Sequence, residues 1–433
     1  KLVIAADIGR EHGFGEGDGG LHDEAAAHAI RALGPAVALV CVSSALRGFG
    51  QGLGDMLPTA AGQITESAGK LVIGLALCLV LLNRNAPAEL CAAGAIGGVT
   101  AGAALGLLVT AYLTSRRCTL PEARDVPPAR WETLRQLLAV GVPITVGAAG
   151  MSLITLLDQA LVTDTLRNTL GYSAAETSAL YGQYTFGMTL FQLPPSFIYP
   201  VSVSLMPAIT AALTRQDRQA AGSAAGAALK LTTLAALPAG AGLSVLAEPI
   251  LLLLYPAVPD TARAAAYHLT FLGLACVFVC LMVATNGVLQ SYGRPYVPVL
   301  TLLCGGVMKI VTNYLMVGDP ATGIRGAAVS TLYCYALIVV LNLLAIARYV
   351  PERPGYIGLF AKPLLLTAVM ALAARSSWGL LARFLPERWA GLPAILIAAA
   401  VYILLALATG AVTRQELLAL PKGEKIAQIL GLR

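Results

Sequence analysis

The sequence predicts an all-α integral membrane protein whose helices cross the bilayer many times. Of the 433 residues, 57% are hydrophobic and only 12% are charged, and the mean hydropathy is +0.75. Soluble domains carry about a quarter charged residues, so a chain of this length could not cover its surface with polar groups in water. The apolar residues form long runs without strand-like alternation, which excludes a transmembrane barrel.

Eleven apolar runs have the length of membrane-spanning helices, which need about 20 residues to cross roughly 30 Å of hydrocarbon. They lie at 28–46, 58–82, 90–114, 137–162, 179–211, 227–254, 266–290, 297–317, 323–346, 361–381 and 390–411. Loop Lys and Arg concentrate on the cytoplasmic side of membrane proteins. Alternating from a cytoplasmic linker at 115–136 places seventeen basic residues inside and eight outside, with the C-terminus inside.

A parallel duplication is visible at a constant offset of 239 residues. The matching positions are Gly48 and Gly287, Gln51 and Gln290, Gly54 and Gly293, and Lys70 and Lys309. Each copy is a helix end, a tight glycine turn and a helix that carries a lysine. Duplicated bundles that hold a substrate between them are a transporter design. The second copy belongs to six spans and the first to only three, so we expect three further spans before residue 28.

Ionisable side chains within the runs are candidates for function, because each costs at least about 2.5–3.5 kcal/mol in the hydrocarbon. Glu66 and Lys70 lie one turn apart, either as a functional pair or as a self-neutralising pair that eases insertion. Asp158 needs a wet cavity or a cation from another helix. Lys309, with Asn313 one turn on, repeats Lys70. We expect a carboxylate to hold each lysine, Glu66 for Lys70 and Asp158 for Lys309, until an anionic substrate in a central cavity displaces it.

Other positions carry weaker expectations. Arg47, at the inner end of its helix, is equally suited to a phosphate contact and to snorkelling. His268, near the outer end of its span, is expected at the membrane interface. The stripe of Gly98, Gly102 and Gly106 predicts close helix packing. Prolines between 194 and 207 predict a helix broken repeatedly, which makes 183–200 a cavity wall or gate.

Nine side chains are therefore the candidates for binding a substrate or ion: Arg47, Gln51, Glu66, Lys70, Asp158, Gln183, Gln290, Lys309 and Asn313. No catalytic residue, metal cluster or cofactor is expected. The loops are too short for the outer catalytic domain of a membrane glycosyltransferase, so an enzyme is not expected. Na⁺, H⁺ and the membrane potential stay open as sources of coupling.

The stretch R-G-F-G-Q-G-L-G-D-M-L-P-T at 47–59, continued by Q-I-x-E to residue 66, resembles the signature turn of the stage V sporulation protein B family. That family shares a superfamily with lipid II flippases and MATE-type exporters. Residues 138–147, 289–299, 323–328 and 413–425 are also similar to it. The resemblance implies a two-lobe bundle of fourteen helices, about eleven of them present, that moves a lipid-pyrophosphate sugar by alternating access.

The resemblance also implies a bacterial plasma-membrane protein with lipid II or a lipid-linked oligosaccharide as substrate. Membrane lipids are the other expected partners, with no nucleic acid, and we expect a monomer. The alternative is a cation-coupled exporter of the same fold, in which Asp158 and Glu66 bind Na⁺ or protons. The expected organisation is a polar segment at 1–27, three helices of an N-lobe at 28–114, a cytoplasmic linker at 115–136, a C-lobe at 137–349, two further helices at 350–411 and a cytoplasmic amphipathic tail at 412–433.

Overall fold

A computed structural model describes residues 20–411 apart from 54, 56, 85, 118–129, 352–354 and 385. All regular secondary structure in these residues is helical. The amphipathic tail at 412–433, most of the polar segment at 1–27 and most of the linker at 115–136 lie outside the described residues.

The described residues form thirteen α-helices and one π-helical turn, in two compact units. Within the first unit, Lys1–Pro127, lie α1 (Gly20–Gly52), α2 (Leu57–Asn83) and α3 (Ala88–Arg117). The second unit, Pro128–Arg433, contains α4 (Arg130–Asp164), the π-turn (Thr165–Thr169), α5 (Ala174–Phe191), α6 (Leu193–Thr214), α7 (Arg218–Val245), α8 (Ala247–Leu254), α9 (Pro259–Ser291), α10 (Tyr296–Val317), α11 (Arg325–Tyr349), α12 (Tyr356–Leu381) and α13 (Glu387–Ala408).

The predicted all-α membrane architecture is confirmed. Within the described residues, nine helices are long and apolar enough to cross a membrane. The two other predicted runs, 137–162 and 179–211, fall on α4 and on α5 with α6. Helix ends extend beyond the apolar runs: α1 begins at Gly20 and α4 at Arg130, inside the segments expected as polar and as linker. Polar residues at a helix end can lie in water, so the apolar run marks only the part of the helix in the hydrocarbon.

The predicted discontinuity lies at Gln192, between α5 and α6. Pro194 and Pro195 have no N–H and cannot donate to the carbonyls four residues earlier. Gln192 keeps φ −78° and ψ −14°, so the chain bends there and does not turn back. The expectation of repeated breaks is wrong, because α6 continues through Pro200 and Pro207.

The duplication predicted at an offset of 239 is confirmed by the turn between the paired helices. Helix α1 ends 239 residues before α9 ends, and α2 begins 239 residues before α10 begins. In the first turn the N–H of Asp55 donates to the carbonyl of Gly50 at 3.0 Å, and in the second the N–H of Arg294 donates to the carbonyl of Leu289 at 2.9 Å. Gly293 has φ +72°, a conformation that glycine adopts without steric cost.

The duplication extends to packing. In the trio α1–α2–α3 and in the trio α9–α10–α11, the third helix packs against both others, while the first and second barely touch. The glycine stripe of α3 makes its contact with α2 very close. A Cβ at Gly102 would lie 2.6 Å from the carbonyl oxygen of Glu66, and one at Gly106 would lie 2.7 Å from the Cβ of Glu66. Close packing of the stripe is therefore confirmed.

Different chemistry ties the turn to the end of the third helix in each trio. In the first trio, Arg117 donates from Nε to Oδ2 of Asp55 at 2.8 Å, and the N–H of Leu57 donates to its Oδ1 at 2.9 Å. These hydrogen bonds, that of Arg117 first, lower the pKa of the Asp55 carboxyl. In the second trio, the guanidinium of Arg294 lies 4.8 Å from the ring centre of Tyr349.

Candidate functional site

Three charged side chains form a cluster in the first unit, which we call the Glu66 triad: Arg47, Glu66 and Lys70. Arg47 donates from Nη2 to Oε2 of Glu66 at 2.7 Å, and Nζ of Lys70 lies 2.7 Å from Oε1. The predicted pair of Glu66 and Lys70 is confirmed, and Arg47 brings a second cation from α1. Two cations share one carboxylate, so the triad carries a net charge of +1.

The members of the Glu66 triad differ in exposure. The side chains of Arg47 and Glu66 are 14% and 12% exposed, whereas that of Lys70 is 39% exposed. A guanidinium carries five N–H donors, and Nε of Arg47 is buried without a hydrogen-bond partner among the described residues. The triad therefore has donor capacity that Glu66 does not use.

A second cluster, which we call the Asp158 network, consists of Asp158, Tyr184, Lys309, Asn313 and Thr331. Nζ of Lys309 lies 3.1 Å from Oδ2 of Asp158 and donates to Oγ1 of Thr331 at 3.1 Å. Asn313 donates from Nδ2 to Oδ1 of Asp158 at 2.7 Å, and the hydroxyl of Tyr184 donates to Oδ2 at 3.3 Å. The network joins α4, α5, α10 and α11, and the predicted pairing of Asp158 with Lys309 is confirmed.

The Asp158 network is enclosed. Asp158 is 3% exposed and Lys309 5% exposed. The adjoining cavity, lined by both residues, has a volume of about 30 Å³. That is room for a water molecule and not for a phosphate group. A buried ion pair of this kind stabilises the fold only because hydrogen bonds satisfy the remaining atoms of both partners.

The two lysines that the duplication relates therefore have different surroundings. Lys70 is held by an acid on its own helix, and the position of Glu66 is occupied by Gly305 in the second trio. Lys309 is held by an acid of α4, a helix outside its trio. The expectation that both lysines face an open cavity holds for neither trio in the same way: Lys70 is partly open and Lys309 is closed in.

The three candidate glutamines lie outside both clusters. Gln51 is exposed at the end of α1 and donates from Nε2 to Oγ1 of Thr59 at 3.3 Å. Gln183 is half-buried on α5, and Gln290 is half-buried at the end of α9, where its carbonyl accepts from the N–H of Gly293 at 3.0 Å. Gln51 and Gln290 therefore belong to the repeated turns.

Sequence reasoning missed two members of the Asp158 network, Tyr184 and Thr331, and misplaced His268. Neutral hydroxyl side chains in apolar helices are common, so nothing in the sequence singles out Tyr184 or Thr331. His268 is 2% exposed and not interfacial. Its ring lies 5.7 Å from that of Tyr184 and 6.1 Å from that of Tyr267. Burial against aromatic rings explains the correction.

Membrane-crossing helices, duplicated in parallel and carrying charged groups at matching positions, define the class of helical membrane transporters. The family model described as "Lipid II flippase MurJ" matches residues 70–400 of this chain. The chain belongs to the MurJ family. As a member of this bacterial family it is a multi-pass membrane transporter of the flippase type.

Three curated relatives from Bacillus subtilis (strain 168) are similar to this chain. The uncharacterised membrane protein YabM is 28% identical over 400 residues, covering 90% of this chain and 73% of YabM. Stage V sporulation protein B is 23% identical, covering 76% of this chain and 63% of that protein. The lipid II flippase MurJ is 22% identical, covering 86% of this chain and 70% of MurJ.

Two solved structures share the fold. A lipid II flippase MurJ in an inward closed conformation superposes with a TM-score of 0.59 at 15% identity, covering 87% of this chain and 73% of that one. A MATE-family multidrug transporter of the MOP superfamily, in an inward-facing conformation, superposes with a TM-score of 0.59 at 18% identity, covering 76% and 72%. The predicted family and its MATE-like fold are confirmed.

Proposed function

We propose that this protein carries a lipid-linked, anionic sugar precursor from the inner to the outer leaflet of the bacterial plasma membrane by alternating access. The observation that carries the proposal is the net positive Glu66 triad on membrane-crossing helices of a MurJ-family chain. An excess cation inside a membrane is costly, and an anionic ligand relieves that cost. Lipid II, which the name of the relative MurJ gives, is the first candidate substrate, and a lipid-linked oligosaccharide is the second.

The two clusters have different parts in this mechanism. The Glu66 triad contacts the anionic group of the substrate. The Asp158 network holds α4, α5, α10 and α11 together through contacts between side chains of different helices. Substrate binding then favours one conformation through contacts made in that state and absent from the other.

Flipping by the purified protein in liposomes tests the proposal. We expect fluorescent lipid II to reach the opposite leaflet faster than in protein-free liposomes, because its pyrophosphate can engage the positive site. A neutral glycolipid with the same polyprenyl chain serves as the control and should cross no faster than in protein-free liposomes. Equal acceleration of both lipids would contradict a transporter selective for anionic precursors.

The cation-coupled exporter is the weaker candidate. Glu66 already contacts two cationic side chains, and Asp158 contacts Lys309 and two neutral donors. A carboxylate held in this way has no vacant oxygen for Na⁺ unless its partners move. Flipping measured with imposed Na⁺, proton and voltage gradients would separate the three sources of coupling, and we leave that choice open.

The proposed orientation places the C-terminus in the cytoplasm, because loop Lys and Arg concentrate on that side. In a variant without native cysteines, single cysteines introduced near Arg167 and Pro386 should react with an impermeant maleimide added outside intact cells. Cysteines near Arg124 and Lys422 should react only after the membrane is opened. Labelling in the reverse pattern would show that the proposed orientation is wrong.

A further inference from the structure

We propose that Glu66 is a resident counter-anion which a phosphate-bearing lipid headgroup replaces, so that Arg47 and Lys70 form an exchangeable anion-binding site. This inference deepens the proposed function and rests on it for the lipid nature of the ligand. Binding of the anion itself stands on the geometry of the Glu66 triad.

The contacts of Glu66 are few and separable. Its two oxygens each contact one cation, Arg47 from α1 and Lys70 from one turn along α2. With 39% of its side chain exposed, Lys70 can accept another partner without unpacking a helix. Nε of Arg47 is buried and has no hydrogen-bond partner among the described residues. A guanidinium fork and an ammonium together suit the several acceptor oxygens of a phosphate.

The second trio supplies an internal comparison. There the acid Asp158 receives contacts from Lys309, Asn313 and Tyr184 and is enclosed. The positive and negative charges of that pair are equal, so an anion that displaced Asp158 would gain little. In the Glu66 triad two cations face one carboxylate. Only the first trio therefore combines spare positive charge with access.

The depth of the site favours a ligand that crosses the membrane. Lys70 is the fourteenth residue of α2, which begins at Leu57, so it lies about 20 Å along the helix at 1.5 Å per residue. That distance is more than half of the roughly 30 Å hydrocarbon core. An anion bound at the surface of either leaflet does not need a positive site at such depth, whereas a headgroup in transit does.

Binding of farnesyl pyrophosphate to the purified protein in detergent tests the inference. Arg47→Gln and Lys70→Gln should each weaken binding by about tenfold or more, as expected for the loss of a charge-assisted hydrogen bond. Glu66→Gln should strengthen binding by several-fold, because the ligand no longer competes with a carboxylate. The matched control is Arg116→Gln at the end of α3, which removes the same charge outside the triad and should leave binding unchanged.

The controls decide the result in each case. Unchanged binding in both cation variants, or weaker binding in Glu66→Gln with an unaltered thermal transition, would overturn the inference. Should Glu66→Gln fail to fold, the two cation variants carry the test. Farnesol should not compete; inorganic pyrophosphate that competed as well as farnesyl pyrophosphate would overturn the lipid-headgroup assignment. Because the assay measures no translocation, a protein that binds as expected but does not move lipid II would remove the proposed function and leave this inference standing.

Discussion

Asp158→Asn should lower the apparent Tm of the purified protein more than Lys309→Met does. The first change leaves the Lys309 ammonium buried beside Thr331 alone, whereas the second leaves the Asp158 carboxylate with the donors of Asn313 and Tyr184. Breaking a buried pair from one side typically costs about 3–5 kcal/mol, which corresponds to a fall in Tm on the order of 5 °C for a unit of this size. Thermal unfolding in detergent measures both values.

The double variant D158N/K309M separates structure from mechanism. It removes both charges at once, so we expect it to recover most of the stability that either single change loses. We expect it still to fail in the liposome flipping assay. A stable double variant with normal flipping would show that the Asp158 network only packs the helices. Arg263→Met, in an exposed cluster with Glu248 and Asp260, is the control and should change Tm little.

Gly102→Ala should destabilise the first unit strongly, whereas Gly97→Ala on the same helix should not. The added Cβ at Gly102 would lie 2.6 Å from backbone atoms of Glu66 and Lys70, while that at Gly97 meets only Cδ1 of Leu77 at 3.7 Å. Both changes gain about 0.5–1 kcal/mol of helix propensity, so that effect cancels in the comparison. Overpacking typically costs about 1–3 kcal/mol, and here the obstacle is backbone that cannot rotate away.

The readout for the glycine pair is thermal unfolding together with farnesyl pyrophosphate binding. Separation of α2 from α3 in Gly102→Ala displaces Glu66 and Lys70, so binding should change along with stability. Gly97→Ala should be at least as stable as the parent protein and bind normally. Equal stability of the two variants would mean that α2 and α3 are not in close contact in solution.

Much of the fold could be predicted because the bilayer simplifies the pattern. Runs of about 20 apolar residues located the helices, and a fixed offset of 239 located the repeated turn whose hydrogen bonds the structure contains. The pairing of Asp158 with Lys309, 151 residues apart, was also predicted, because a buried charge needs a partner and few were available.

The rest could not be predicted because it depends on which helix faces meet. The contact of Arg47 with Glu66 spans 19 residues and two helices, and the sequence leaves snorkelling open as the alternative. Burial of His268 against Tyr184 follows from the packing of α5 on α9, which apolar periodicity does not specify. Exposure of Lys70 and enclosure of Lys309 likewise depend on a neighbour, α4, that belongs to no repeat.

The bend at Gln192 makes one transmembrane segment mechanically uneven. Pro194 and Pro195 leave the carbonyls of Leu190 and Phe191 without their usual amide donors before any motion begins. A change of angle at this joint therefore breaks no further helical hydrogen bond, while flexing the middle of α5 would break at least one. The segment behaves as two stiff rods on a compliant joint, so α5 can stay fixed to the Asp158 network through Tyr184 while α6 changes direction.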